Sequence, residues 1–271
     1  MDDALDVSSQ EFFVLHAYLI LVFGDIPAIS KLLMMKGHNG YCPCRWCEIT
    51  GVWSPGEKVN YFPLHREEAR CDPRALRYRR HRRFIRQATK VIAAKTTVES
   101  DQLSCKYGIK GLPGLFLLGS IRFPASFPFD FMHLVFENLI PNLIRHYTGD
   151  FKGLSAGVES YELSKSTWEA IGDAAVQSGD TIPSDFGAQM PNLYTERSSM
   201  TAEMWSTWIM YLGPILLQDH FSKAAYYDHF VKLSDLVHLC VSYEMSRSDV
   251  ETVRVGFIEW VEEYERYVFL I

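Results

Sequence analysis

The stretch FFVLHAYLILVFGDIPAISKLLMMKGHNGYCPCRWCE, residues 12–48, sets the reading of the whole chain. From Phe12 to Phe23 only His16 interrupts a run of aromatic, β-branched and aliphatic side chains. A run this continuous, stopped by Gly24, suits a strand buried on both faces, although a buried helix fits the periodicity as well. Asp25 follows at once. Pro27 stands where a first helical turn tolerates proline, and Gly37 where helices tend to stop. The expected order is strand, aspartate, a short helix over 26–35, then a cysteine-rich loop.

Asp25 carries two readings. A carboxylate fixed at the end of a central strand is a place where phosphoryl-transfer enzymes hold Mg²⁺, because a hard cation takes rigid oxygen ligands. Alternatively Asp25 only N-caps the following helix, a role aspartate fills well and the one that spacing alone favours. The loop adds Cys42, Cys44 and Cys47, of which Cys44-Arg-Trp-Cys47 is a C-x2-C pair. Two thiolates at that spacing can share one tetrahedral Zn²⁺, yet a structural site takes four ligands, so the pair is half a site. A redox C-x-x-C or plain buried cysteines are the other readings.

The segment GDIPAISKLLMMKGHNGYCPCRWCEITGV resembles the second-aspartate block of CACTA (En/Spm-type) DNA transposases, particularly the fungal branch. The resemblance continues through GIKGLPGLFLLGSIRFPASFPFDFMHLVFENLIPNLI, MTAEMWSTWIMYLGPILL and GFIEWVEEYERY, in the expected order. It implies that Asp25 is the second acidic residue of a DDE triad in an RNase H-like core. It also implies that Cys44 and Cys47 are a zinc-binding pair, with Cys42 outside it. The family's first catalytic aspartate belongs upstream of the GD block. Its His-x3-His zinc partners and its catalytic glutamate belong beyond the segment matching 260–267. The chain is therefore expected to be the middle of a transposase, either a truncated product or a reading frame clipped from a longer gene. One of three carboxylates cannot hold two metal ions in a defined geometry, so no independent catalysis is expected.

At 271 residues and 48% hydrophobic content the chain can bury a large core, in one or two domains. A net charge of −6 excludes a uniformly basic nucleic-acid binder, so any DNA contact is a local patch. Six cysteines without a regular framework point to reduced thiols and an intracellular setting. The acidic start MDDALD lacks the basic region of a signal peptide, and the apolar run at 12–23 is too short to span a bilayer.

The basic feature is CDPRALRYRRHRRFIRQATKVIAAK, with no acidic residue between Asp72 and Glu99. Arg79, Arg82, Arg83 and Arg86 follow i, i+3, i+4, i+7 and are expected to share one helical face, opposite Phe84, Ile85, Ala88, Val91 and Ile92. Such arginines can neutralise backbone phosphates; a solvated face or a nuclear-import signal are the alternatives. Residues 104–114 read as loop, with Cys105 structural. Asp130 and His133, three apart at the start of a helix, form a metal or active-site pair on one reading. The preferred reading is a cap with a buried, hydrogen-bonded histidine. Glu137 lies one turn further on the same face. Later helices are expected over 162–177, from Thr201 as cap, over 223–245 and over 248–268. Glu262, Glu263 and Glu265 read as a solvated face, and the Trp205–Ile215 stripe as core.

The resulting fold class is mixed α/β, mostly helical. Its expected layout is a partial RNase H-like core with a zinc-knuckle loop over 1–60, a basic helical connector over 61–100, and a helical insertion domain over 101–271. The implied function is that of a cut-and-paste DDE transposase segment. Its cofactors would be Mg²⁺ (or Mn²⁺) and Zn²⁺, its partner transposon-end DNA, its location the nucleus, with homo-oligomerisation left open. A non-catalytic DNA- or protein-binding module using the basic helix is the alternative.

Overall fold

The computed structural model describes residues 4–6, 8, 11–14, 16–56, 58–66, 71–151, 157–183, 187 and 189–268. They fall into two compact units, which interleave along the sequence. One comprises Met1–Gly51 with Arg77–Phe129, the other Val52–Leu76 with Asp130–Ile271. The basic helix thus shares a unit with the cysteine loop, instead of forming a connector over 61–100, and the cut at 60 falls inside a hairpin. Helices dominate, in line with the mostly helical fold class expected.

In the first unit, β1 (Ala4–Asp6) pairs antiparallel with β2 (Glu11–Phe13). The buried strand expected over 12–23 does not form beyond Phe13. Residues 16–25 carry no regular structure, and Tyr18, Ile20 and Phe23 are two-thirds exposed or more. A central strand needs ladder partners on both sides. Here Val22 N donates to Ser126 O and Ser120 Oγ to Leu19 O, and no strand flanks this stretch among the described residues. Residue 15 lies outside the described set.

Helix α1 (Ile26–Leu32) is shorter than its expected span, because Met34 takes a left-handed φ of 52° before Gly37 is reached. Helix α2 (His81–Ile92) buries Phe84, Gln87, Ala88 and Val91, which recur at helical spacing. Helix α3 (Thr97–Tyr107) is capped by the Thr96 side chain, which accepts from Glu99 N, and closed by Gly108 at φ 69°. It corrects the loop expected from 104 onward. Cys105 is exposed on its surface, not a structural thiol. The core of this unit is Ile29, Leu33, Met35, Phe84, Ala88, Ile109, Ile121, Phe123 and Phe127. Phe84, Phe123 and Phe127 stack in sequence, with centroids 5.3 and 5.5 Å apart.

The second unit holds the hairpin β3 (Val52–Ser54) and β4 (Val59–Tyr61) and a helical array. A π-helical segment, Met132–Leu139, runs into α4 (Ile140–Tyr147). Then come α5 (Lys165–Ser178), capped by Ser164, and α6 (Ala202–Thr207), capped by Thr201. A second π-helical stretch, Trp208–Leu212, leads into α7 (Gly213–Leu216), followed by α8 (Ala224–Cys240) and α9 (Arg247–Val268). Trp168, Trp205, Trp208, Phe230 and Trp260 fill its core, so the tryptophan stripe is packing. The glutamates of α9 are not a solvated face. Glu265 is 4% exposed and takes hydrogen bonds from Leu64 N, His65 N and His65 Nδ1, while Glu262 pairs with Arg74 and Glu263 with Lys232. A buried carboxylate persists because backbone donors surround it. Among the described residues no helix is long and apolar enough to cross a membrane.

Candidate functional site

The cysteine loop is built around its C-x2-C turn. Trp46 N and Cys47 N both donate to Cys44 Sγ at 3.4 Å, a consequence of the tight turn between the two cysteines. The two residues between them are anchored: Arg45 Nη2 donates to Pro128 O at 2.6 Å, and Trp46 Nε1 to Phe127 O at 3.2 Å. Arg45 also lies over the Phe129 ring at 4.6 Å. The Cys47 thiol donates to Cys44, which, with those backbone donors, lowers the Cys44 thiol to about 6 against the opposing effect of burial. The same bond, with burial, raises Cys47. The pair thus shifts in opposite directions, Cys44 down and Cys47 up.

Arg79 completes this loop. It is 4% exposed, and its guanidinium donates to Cys44 O at 2.9 Å, Cys47 O at 3.2 Å, Tyr107 O at 2.8 Å and Cys42 Sγ at 3.0 Å. Cys42, deeply buried, is raised by burial, with Arg79 acting against it. Gly108 sits against the same place: a Cβ there would stand 1.8 Å from the Cys42 carbonyl oxygen. The left-handed φ and the close approach both require glycine.

These contacts correct the expected arginine face. Helix α2 begins at His81, so Arg79 lies before it and helical spacing does not apply. Arg83 is on the helix but is paired: Nε and Nη2 reach the two Glu48 oxygens at 2.6 and 2.7 Å. Burial pushes Glu48 upward, but hydrogen bonds from Arg83 and Gln87 outweigh it and hold the carboxyl below its usual range. Arg82 and Arg86 are exposed, and Lys90 continues them at i, i+4, i+8 on the face opposite Phe84 and Ala88. At 1.5 Å rise per residue the stripe spans about 12 Å. Arg122, also exposed, stands near: its charge and that of Arg82, after burial, lower His81, whose Nδ1 accepts from Phe123 N. Lys90 and Arg122 were missed in the sequence. The first needed the helix start to be known, and the second is over thirty residues away.

Asp25 accepts from Ala28 N at 2.5 Å as the N-cap of α1. Among the described residues no group of three or more His, Cys, Asp or Glu side chains gathers around it. Cys44 and Cys47, two thiols at C-x2-C spacing, fit one half of a tetrahedral zinc site; no third His, Cys, Asp or Glu joins them among the described residues. In the second unit, Asp130 and His133 do pair, with Asp130 Oδ2 2.8 Å from His133 Nδ1 and Oδ1 accepting from His133 N at 3.2 Å. One carboxylate thus both caps and holds the histidine, but His133 is a third exposed and not buried as expected. Burial raises Asp130, and the His133 hydrogen bonds more than reverse this, leaving it lowered.

Comparisons with protein-family models, with curated proteins and with solved structures each returned no match to this chain.

Proposed function

We propose that the first unit binds the DNA backbone through the cationic stripe of α2, with Arg82, Arg86 and Lys90 as the principal contacts and Arg122 beside them. The observation that carries this is the exposed display of three cations at i, i+4, i+8 on an otherwise acidic chain, on a helix whose other face is locked into the core. Phosphate contacts position a protein without reading sequence, so the binding is expected to be non-specific and strongly salt-dependent. The cysteine loop and Arg79 then hold the helix in place and take no part in contact.

This reading is consistent with a segment of a CACTA-type cut-and-paste transposase acting in the nucleus. In that setting Asp25 would belong to an RNase H-like catalytic core, Cys44 and Cys47 to a zinc knuckle that rigidifies it, and Asp25 alone would support no strand cleavage or transfer. Fluorescence anisotropy of a labelled duplex against the chain tests the binding: micromolar affinity at low salt, falling on Arg82→Ala/Arg86→Ala, supports it, and undetectable binding overturns it. Translation of the flanking genomic DNA tests the transposase setting. A strand–aspartate block on one side and His-x3-His with a glutamate on the other support it; unrelated sequence on both sides contradicts it.

A further inference from the structure

Residues 77–80 form a short strap that leads from the cysteine loop into α2. Glu48 N donates to Arg77 O at 2.9 Å and Arg79 N to Trp46 O at 2.8 Å, so Tyr78 and Cys47 face each other as an antiparallel bridge. The backbone enters α2 extended, with φ −124° and ψ 146° at Arg80. Side chains alternate along extended backbone, and here Arg79 is buried while Tyr78 and Arg80 on either side of it are exposed. Arg79 is 4% exposed against 60% for Tyr78. The bridged backbone and the Arg79 clasp thus hold an aromatic ring outward at a fixed place, about 7 Å along the strap from Arg80. Arg82, the first cation of the α2 stripe, follows two residues later. Glu48, the acidic side chain of the facing segment, is committed to Arg83 at 2.6 Å and lies 3.5 Å from Arg77.

We propose that Tyr78 is a stacking platform for an unpaired base, with Arg80 on the neighbouring phosphate. The first unit then prefers DNA with a single-stranded extension to uninterrupted duplex. This rests on the DNA-binding reading of α2 and adds the class of DNA that the surface selects. In a duplex each base face is covered by its neighbours, so a ring on a rigid strap meets a base only where the strand is unpaired. Every base offers a π-face, so the contact carries no sequence preference. A ring already fixed by its backbone also gives up little freedom on binding. The pairing of an aromatic ring with a guanidinium matches a nucleotide, apolar on its base faces and anionic at its phosphate.

The test is fluorescence anisotropy of the full chain with two labelled DNAs, a blunt duplex and the same duplex carrying an unpaired extension on one strand. The extended duplex should bind about 10–100-fold more tightly. Tyr78→Ala should remove that advantage and leave blunt-duplex affinity unchanged, whereas Tyr78→Phe should keep it, because the ring and not the hydroxyl makes the contact. Arg80→Ala should make the salt slope for the extended DNA shallower by about 0.7, one single-strand phosphate. A 2-aminopurine placed in the extension should be quenched by the unmodified chain and by Tyr78→Phe, but not by Tyr78→Ala. Equal affinity for the two DNAs would overturn this proposal while leaving the α2 stripe standing; absence of binding to either would overturn both. Weakening of both DNAs alike in Tyr78→Ala, or loss of the advantage in Tyr78→Phe, would also overturn it.

Discussion

Replacing Arg79 with alanine separates an architectural arginine from a DNA contact. The side chain makes four short hydrogen bonds, three to carbonyl oxygens and one to the Cys42 sulfur, in a nearly sealed setting. Hydrogen bonds to a charged group contribute about 1.5–3 kcal/mol each, but they are not additive when water can enter the vacated space. Removing one partner from a buried charged network typically costs about 3–5 kcal/mol, and that is the expected loss here. Arg79→Lys should recover only part of it, since an ammonium cannot reproduce the planar fork that spans Cys44, Cys47 and Tyr107. Cysteine alkylation is the sharper assay, because Cys42 and Cys47 are buried in the loop that Arg79 secures. A loss of this size raises the population of open loop, and hence the labelling rate, by about 10²–10⁴-fold. If Arg79→Ala labels and unfolds like the unmodified chain while losing duplex affinity, the clasp reasoning is wrong and Arg79 is a phosphate contact.

Other expectations follow from single contacts. Gly108→Ala should destabilise the first unit by roughly 3 kcal/mol or more, measured by urea unfolding, because φ is left-handed and the added methyl group meets the Cys42 carbonyl. Asp25→Ala should cost only about 1 kcal/mol, the value of an N-cap; a loss several times larger would mean that Asp25 does more than cap α1. His146 is buried between α4 and α9, with Tyr264 Oη 2.8 Å from its Nε2, and burial lowers it to about 4 from an ordinary 6.5. The unfolded chain therefore binds this proton first. The stabilisation is complete above about pH 6.5 and is lost as pH falls toward 4. An order-of-magnitude figure is about 2–3 kcal/mol, and His146→Phe should flatten that limb of the pH–stability curve.

Local rules carried part of the fold. Thr201 and Asp25 announced their caps, whereas the Ser164 cap, inside the helix expected from 162, did not; α5, α8 and α9 formed close to their expected spans. The C-x2-C turn was legible because its geometry is set within four residues. What the sequence hid depends on tertiary partners. The run from Tyr18 to Phe23 is apolar enough for a buried strand, yet hydrophobicity does not supply the neighbouring strands that a ladder needs. Arg79 matched a helical face by spacing, but the helix starts two residues later and only the fold brings Cys42 and Tyr107 around it. Glu265 looked like one solvated carboxylate among three. Its partners, Leu64 and His65, lie two hundred residues earlier. The site was thus half legible: Arg82 and Arg86 stand as expected, Arg79 and Arg83 are structural, and Lys90 and Arg122 take the outward places.

The salt dependence of duplex binding measures the central claim most directly. Each phosphate neutralised contributes about −0.9 to the slope of log affinity against log salt. The variant Arg82→Ala/Arg86→Ala/Lys90→Ala should therefore show a slope shallower by about 2–3, whereas Arg83→Gln, which removes a cation already committed to Glu48, should leave it nearly unchanged. An unaltered slope in the triple variant, or a loss as large in Arg83→Gln, would contradict the assignment of the α2 stripe as the DNA-contacting surface.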